Sequence, residues 1–434
     1  MITEIKLPLE KAALQSFSSS NNEPSWLMEL REQAFDRLAS LEMPKPDKTN
    51  IRNWNFMEFP NHTVESESYS SLDELPEEVK ALLDAEEKHN IYIQRNNTPA
   101  FVSLSETLKE QGVIFTDIIT AAREHSDLVQ KYFMTKGIKT DEHRLTALHA
   151  ALMNGGIFIY VPKNVEIKEP LQAVFLRDNK ESSLFNHVLI VADENSHVTY
   201  VENYISTAEG SGLANIISEV IAENGAKVLY GAVDTLTKDV VTYVNRRGVA
   251  GNDATIEWAL GQMNDGNTIS ENVTNLVGNG SNSNAKTVVV GRGEQKQNFT
   301  TNIRHFGKNS EGFILSHGVM KDSASAIFNG IGKIEHGASK ANAEQETRVL
   351  MLSEKARGDA NPMLLIDEDD VMAGHAASVG RVDPLQLYYL MSRGIPKVEA
   401  ERLIIHGFLA PVVKALPIEA VKKQLVEVIE RKVR

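Results

Sequence analysis

The order of apolar and polar positions divides the chain into a central region of short alternating segments and two flanks with helical periodicity. In the centre, a polar stretch precedes a β-branched residue, and an aromatic or β-branched residue follows two places later, so both side chains point to one face of a strand. The β-branched residues are Val198, Val228, Ile256 and Val288, which gives steps of 30, 28 and 32 residues. A period of this size is typical of a solenoid, whose coils bury their apolar faces by stacking on one another.

The distribution of proline, glycine and asparagine supports this interpretation. None of the 14 prolines lies between residues 171 and 361. Because proline cannot donate to a β ladder, the region indicates continuous sheet. Residues 251–345 contain thirteen glycines and thirteen asparagines, which accept the left-handed backbone that tight corners require. We therefore predict a β-helix, with a β-sandwich as the alternative that the pattern leaves open.

Both flanks show helical spacing and helix-end signals. We predict a mainly helical N-terminal domain at residues 1–140, a parallel β-helix core at 141–382 and a C-terminal helical domain at 383–434. The individual helices are predicted from Pro24-Ser25 with Ser25 as a cap, over residues 73–89, over residues 115–134, from Pro384 to Arg393 with Gly394 closing it, from Pro396 to Gly407, and from Pro417 with Ile418, Val421, Leu425 and Val428 on one face.

Composition excludes several classes of chemistry. The net charge of −14 argues against a surface that neutralises nucleic-acid phosphates or anionic lipid. The chain has no cysteine, so it forms no disulfide, thiolate zinc site, nucleophilic thiol or iron–sulfur site held by its own thiolates. The start, Met1-Ile-Thr-Glu4, does not resemble a signal peptide, and the longest apolar runs are too short for a membrane helix. We expect a cytoplasmic protein.

Two motifs suggest chemistry only weakly. Gly280 to Thr287 nearly matches a phosphate-binding loop, but Ala285 replaces the second glycine and strand-like residues follow where a helix is required.

Four histidines, His305, His317, His336 and His375, fall in the late β region, where coils bring distant positions together. For the first three, hydrogen-bonded or solvent-facing imidazoles are favoured over metal ligands. The acidic run Asp367–Asp370 is predicted to be a solvated turn.

Two other function classes remain open at this point. Many β-helices act on polysaccharides, so a carbohydrate-active enzyme with paired carboxylates is an alternative, although no pair stands out and no export signal accompanies it. The second class is a purely structural solenoid, which organises partner proteins and binds no metal.

Three stretches of the sequence carry motifs that are specific enough to indicate a protein family. The first is Asn154–Lys163. The second runs from Leu352 to Gly380 and includes Asp369-Asp370-Val371 and His375. The third is Leu390–Ile395 together with Gly407-Phe408. Together they resemble the SufB/SufD family of iron–sulfur cluster assembly proteins, and the Asp-Asp-Val-x-x-x-His form resembles the SufD branch. The chain departs from a common form of the family, because Ala373-Gly374 precedes His375 where many members have Cys-Ser.

The resemblance implies a mainly β fold with α flanks: a right-handed parallel β-helix between helical domains. It implies a scaffold subunit rather than an enzyme, which pairs with SufB through the β-helices and binds the ATPase SufC through the C-terminal helices. The family's functional histidine falls on His375. The ATPase-binding region falls on Leu390, Ser392, Arg393, Gly394 and Phe408. For these residues a structural role in helix capping and core packing is favoured as much as ATPase binding.

The resemblance also implies what this chain supplies to a cluster. Clusters are held mainly by thiolates, with imidazole as an occasional replacement, so a chain without cysteine offers at most a nitrogen ligand. We predict that His375 is a cluster or iron ligand at the SufB interface, and that the isolated chain has no cofactor. Flavin binding and self-association into a homodimer are left open.

Overall fold

A computed structural model describes residues 9–83, 89–416 and 419–433 of this chain. Helices lie at both ends of the chain, before and after a long series of strands. The helices are α1 (Lys11–Ser20), α2 (Ser25–Arg37), α3 (Glu77–Lys80), α4 (Glu106–Glu110), α5 (Ile118–Glu124), α6 (Ser126–Tyr132), α7 (Arg144–Leu152), α8 (Pro384–Ser392), α9 (Lys397–Ala415) and α10 (Glu419–Val433).

The strands form two long sheets. They are β1 (Ile91–Arg95), β2 (Thr98–Ser103), β3 (Ile114–Asp117), β4 (Gly155–Val161), β5 (Leu171–Arg177), β6 (Leu184–Ala192), β7 (His197–Ser206), β8 (Gly212–Ala222), β9 (Lys227–Thr235), β10 (Val240–Ala250), β11 (Thr255–Gln262), β12 (Thr268–Leu276), β13 (Asn282–Gly291), β14 (Lys296–His305), β15 (Glu311–Met320), β16 (Ser325–Ile334), β17 (Asn342–Met351), β18 (Arg357–Ile366) and β19 (Met372–Arg381).

Successive strands alternate between the sheets. The ten-stranded sheet has the order β19-β17-β15-β13-β11-β9-β7-β5-β1-β2, and the nine-stranded sheet has the order β18-β16-β14-β12-β10-β8-β6-β4-β3. All pairs from β4 to β19 are parallel. The chain is therefore a parallel β-solenoid of about eight turns, which confirms the predicted β-helix core and excludes the sandwich.

One corner of each coil holds a residue with positive φ. In successive coils these residues are Asn195, Gly225, Asp253, Gly280, Asn309 and Lys340. The asparagine before the corner adds a side-chain bond along the stack: the Asn252 Oδ1 accepts from the Asn279 N–H at 2.8 Å, and the Asn279 Oδ1 accepts from the Lys308 N–H at 2.9 Å. The density of asparagine and glycine in the sequence thus reflects both backbone conformation and bonds between coils.

The repeat predicted from the sequence has the correct register for two of its three steps. Val198 pairs with Val228, and Val228 pairs with Ile256. The third step is wrong, because Ile256 pairs with Ser283 rather than Val288. Val288 faces outward and belongs to the apolar layer beneath the C-terminal helices, so its apolar character reflects burial on the other face of the sheet.

The N-terminal flank contains strands as well as helices. β1 joins the ten-stranded sheet and β3 joins the nine-stranded sheet. The helix predicted over residues 73–89 is wrong for most of the described part, where only Glu77–Lys80 is α-helical, and residues 84–88 lie outside the described residues. The helix over 115–134 is divided into β3, α5 and α6. α2 begins at Ser25 as predicted, but its cap position is Pro24.

The C-terminal helices α9 and α10 pack on the outer face of the ten-stranded sheet. Leu409 and Leu425 are buried in one apolar cluster with Val201 and Ala259 of the sheet. The predicted end of α9 at Gly407 is wrong, because the helix continues to Ala415. In the last helix Val421, Leu425 and Val428 share the buried face as predicted, whereas Pro417 and Ile418 lie outside the described residues. No helix in the described ranges is long and apolar enough to cross a membrane.

Candidate functional site

The last coil of the solenoid, β18 and β19, has no neighbouring strand on its outer side among the residues that the structure describes. Each is the final strand of its sheet. Both are ten residues long, and their exposed apolar side chains include Leu365, Met372 and Val379. A long, exposed and partly apolar edge is a template for pairing with another chain.

His375 lies in the middle of β19 at this open end. It pairs in register with Gln345, whose side chain is buried and donates from Nε2 to the Met363 carbonyl at 2.9 Å. Paired residues of a parallel ladder point to the same side, so His375 lies on the face that is interior in the preceding coils. Because no further coil covers it, the imidazole is exposed.

The other late histidines are not brought together with His375. The His305 Nδ1 is 2.9 Å from the Ser310 Oγ, and burial lowers the pKa of His305 to about 4. The His317 Nδ1 donates to the Phe408 carbonyl at 2.9 Å, and His336 is exposed on a corner. Within the described residues, no group of three or more His, Asp or Glu side chains is arranged to hold a metal ion.

Glu368, in the acidic run near this end, stabilises a turn. The Glu368 Oε2 accepts from the Gly337 N–H at 2.7 Å, and this bond lowers the pKa of Glu368. The near match to a phosphate-binding loop begins at the corner residue Gly280 and continues into β13, where the Lys286 Nζ is 3.8 Å from the Glu257 Oε2. No helix follows this segment, so the geometry that would receive a phosphate is missing.

After the open last coil, helix α8 is the second feature that leaves apolar side chains exposed. Its start is capped by the Asp383 side chain, which accepts from the Leu385 N–H at 2.9 Å. No residue of α8 is buried, and Leu385 and Tyr388 are 75% and 71% exposed. Tyr389 and Met391 are also exposed. An apolar helix that leaves this much surface in water is typical of an interaction site.

The five residues predicted to bind the ATPase have different local roles. Leu390 is half-buried, and the Ser392 hydroxyl donates to the Tyr389 carbonyl at 2.7 Å. The Arg393 guanidinium lies over the Tyr389 ring, 5.2 Å from its centroid. Gly394 has φ +84°, and the bonds from the N–H groups of Gly394 and Ile395 close α8.

Phe408, the fifth residue, faces the solenoid. Its ring stacks on His317 with centroids 5.0 Å apart. The exposed apolar side chains of α8 were not among the predicted site residues. The signal for them was available, because Leu385, Leu387, Tyr388 and Leu390 place apolar groups around the whole helix, more than one packed face requires.

Sequence reasoning also missed two buried ionisable networks. In the first, the His187 Nε2 is 3.2 Å from the Glu219 Oε2, and the His187 Nδ1 is 3.1 Å from the His149 Nε2. Burial lowers the pKa of His187 to about 3 and raises the pKa of Glu219 to about 7. These residues are far apart in the sequence. The stacking of β6 on β8 brings His187 near Glu219, and the packing of α7 on the solenoid adds His149.

The second network lies inside the solenoid. The Arg246 Nη2 is 3.2 Å from the Glu202 Oε1 and 3.1 Å from the Asp234 Oδ2, and all three side chains are buried. Burial raises the pKa of Glu202 to about 7, against the attraction of Arg246. One cation between two carboxylates ties three strands together at the cost of desolvating all three groups.

Comparisons with known proteins match nearly the whole chain. The family model described as "SUF system FeS cluster assembly, SufBD core domain" matches residues 175–408, and "SufBD protein N-terminal region" matches residues 15–173. The chain is 69% identical over 432 residues to the iron-sulfur cluster assembly protein SufD of Bacillus subtilis (strain 168), covering 99% of each chain. It is 29% identical over 421 residues to SufB of the same organism, covering 95% of this chain and 90% of SufB.

Proposed function

Because this chain belongs to the SufB/SufD family of iron–sulfur cluster assembly proteins, we propose that it is a non-catalytic scaffold subunit of a cytoplasmic cluster assembly complex. In this proposal the open end of the solenoid pairs with SufB, α8 and its neighbours dock the ATPase SufC, and His375 supplies a nitrogen ligand to the nascent cluster. The carbohydrate-active alternative is not favoured by the family.

The observation that carries the proposal is the open last coil. β18 and β19 expose one row of backbone donors and acceptors together with apolar side chains, and a second solenoid end satisfies both. SufB of Bacillus subtilis shares 29% identity with this chain over 90% of its own length, and we expect its solenoid to end in the same way. A homodimer is the competing occupant, and the two are distinguished by mass.

The pairing is tested by adding charge to the open end. Met372→Lys together with Val379→Lys places two cations on the exposed edge, and we expect co-purification with SufB to fall at least tenfold. Val102→Lys is the matched control, because Val102 is similarly exposed but lies on β2 at the other end of the same sheet. Unchanged assembly of the double variant, measured by light scattering, would contradict the pairing.

Docking of the ATPase is assigned to the exposed face of α8. Leu385 and Tyr388 offer the kind of apolar side chains that anchor interfaces. Leu385→Ser with Tyr388→Ser is expected to weaken SufC binding at least tenfold without lowering thermal stability, because neither side chain is buried. Val426→Ser on α10, another exposed apolar position, is the control and should bind normally. Equal SufC affinity for both variants would exclude α8 as the docking helix.

The role of His375 follows from its position and from the missing thiolates. The chain offers no thiolate ligand, so an imidazole at the open end can complete a site whose other ligands come from SufB. We expect His375→Ala, in the complex purified without oxygen, to lose most bound iron and sulfide while assembly stays intact. His336→Ala, also an exposed histidine near this end, should keep both.

The outcome of the His375 experiment separates the two remaining functions. Loss of iron and sulfide with normal subunit stoichiometry supports the ligand role. Normal iron and sulfide with normal stoichiometry would leave the chain as a structural solenoid that organises partners without touching metal.

A further inference from the structure

A cleft lies where α10 and the turn after α3 meet the outer face of the ten-stranded sheet. Its volume is about 290 Å³, close to the lower limit of small-molecule sites. The cleft is bridged at one side by the Gln424 Nε2, which donates to the Leu82 carbonyl at 2.7 Å. This site is separate from the open end and from α8, and it does not depend on the proposed function.

The floor of the cleft is apolar. Val233 comes from β9, Ile205 comes from β7, and Met263 directly follows β11. Val428 of α10 and Leu82 form the facing walls. Because these side chains come from a sheet and a helix that pack together, the floor is formed before any ligand arrives. It fits the flat apolar body of a small organic molecule.

Polar groups without partners surround this floor. The Asn203 Oδ1, the Ser206 Oγ and the Thr237 Oγ1 have no hydrogen-bond partner in the described part of the chain, and Asn203 is almost fully buried. A buried polar atom that stays unpaired costs about 1–3 kcal/mol, so native structures rarely keep several together. A ligand with hydroxyl, amide or amine groups would satisfy them.

The charge of the cleft is opposite to that of the whole chain. Arg292, Arg431 and Lys432 line it against Glu78 and Asp265, a net charge of +1 in a chain of net charge −14. Asp265 is bound by Arg292 at 2.6 Å and by Lys432 at 2.8 Å.

Arg431 is the available cation. It has no ion pair within the described residues, so its guanidinium is free to bind an anionic group.

We propose that this cleft binds a small organic anion, with its apolar body on Val233 and Met263, its hydrogen-bonding groups toward Asn203 and its charge on Arg431. The apolar floor, the unpaired oxygens and the free guanidinium are three independent features, and this ligand class satisfies all of them.

The test uses two probes with the same apolar body and opposite charge. Naphthalene-1-sulfonate and 1-naphthylmethylammonium are titrated calorimetrically into the full chain, and the sulfonate should bind at least tenfold more tightly. Arg431→Gln should weaken sulfonate binding about tenfold, because one charge-assisted contact is lost. Thr207→Trp, which fills the cleft from its exposed rim, should abolish it.

Lys423→Gln is the matched control, because it removes one exposed cation from the same helix outside the cleft, and it should change sulfonate affinity less than twofold. Naphthalene-1-sulfonate that adsorbs to the exposed apolar face of α8 instead of the cleft would still bind to the Thr207→Trp variant. Equal affinity for both probes, or sulfonate binding that neither Arg431→Gln nor Thr207→Trp weakens, would overturn the proposal. Circular dichroism of each variant confirms that the fold is intact.

Discussion

Glu219 joins the N-terminal helical region to the solenoid. Its Oε2 accepts from the Met134 N–H at 2.7 Å, and its Oε1 accepts from the Ile138 N–H at 3.0 Å. Both carboxylate oxygens are therefore occupied by backbone donors of the segment after α6. Because the side chain is fully buried, water cannot replace either bond. A single carboxylate on β8 thus fixes a loop 81 to 85 residues earlier in the chain.

Glu219→Gln should destabilise the fold by about 1–3 kcal/mol, because the amide keeps one acceptor and turns an N–H₂ group toward the other backbone donor. The midpoint of urea denaturation measures the loss, and hydrogen exchange should rise first at residues 133–138. The control is Glu427→Gln, an exposed carboxylate with no ion pair in the described ranges, which should leave both unchanged. Equal effects of the two substitutions would contradict the bracing role of Glu219.

Residues within a local motif could be found from the sequence, whereas buried ionisable residues outside any motif could not. His375 was found because it falls within a recognisable local motif, and the structure places it on an exposed edge. Glu219 and His187 were missed, because nothing local marks one glutamate or histidine as buried. Phe408 was found as part of a motif, but its inward packing on His317 depends on the docking of α9, which local sequence does not determine.

Two glycines in the C-terminal helices have opposite structural roles. Gly394 has φ +84° and ends α8. Gly407 lies inside α9, is exposed, and a Cβ added to it would meet no heavy atom within 4 Å. Both glycines were predicted to be helix ends, which is correct for Gly394 and wrong for Gly407. α9 also continues through Pro411.

Gly407→Ala should stabilise α9 by about 1 kcal/mol, because alanine loses less backbone entropy in a helix and has room here. Gly394→Ala should destabilise the end of α8 by about 1–2 kcal/mol, because its backbone is left-handed. Hydrogen exchange of α8 and α9 amides measures both changes. Slower exchange of α8 after Gly394→Ala, or faster exchange of α9 after Gly407→Ala, would refute these assignments.

The solenoid itself was predictable because each of its elements repeats a local rule. Corners need left-handed residues, so Asn195, Gly225 and Asp253 mark them. Proline is excluded from inner strands and returns at Pro362, within the outermost strand of the nine-stranded sheet. Register was less predictable, because both faces of the ten-stranded sheet are buried where α9 and α10 cover it. Val288 on the outer face therefore looks the same in sequence as a residue of the interior.

The two ends of the molecule are built differently. At one end the sheets finish with antiparallel pairs, β1 with β2 and β3 with β4. At the other end the parallel coils stop at β18 and β19, and no strand of the described ranges pairs with their outer edges. Only the second end continues the stacking geometry of the solenoid outward. This asymmetry is the reason for assigning assembly to β18 and β19 and for using Val102 on β2 as the control surface.

Buried ionisable groups across the whole molecule determine how its stability depends on pH. Burial lowers the pKa of His62, His143 and His305 to about 4 and that of His187 to about 3. Between these values and 6.5 the histidines are neutral when folded and protonated when unfolded, so stability is lost as the pH falls. Glu202 and Glu219, with pKa values raised to about 7, act in the opposite direction, because the folded state holds their protons.

The histidines that are held neutral outnumber the buried glutamates with raised pKa values, Glu202, Glu219 and Glu271, so unfolding takes up protons near pH 5.5 and the free energy of unfolding should fall by a few kcal/mol per pH unit there. His149, His197 and His317 have lowered pKa values and add to this slope. Urea midpoints between pH 7 and pH 5 measure it. His305→Gln should reduce the slope by about one proton, whereas exposed His336→Gln should not. A flat profile, or greater stability at pH 5 than at pH 7, would mean that these histidines are not held neutral in the folded chain.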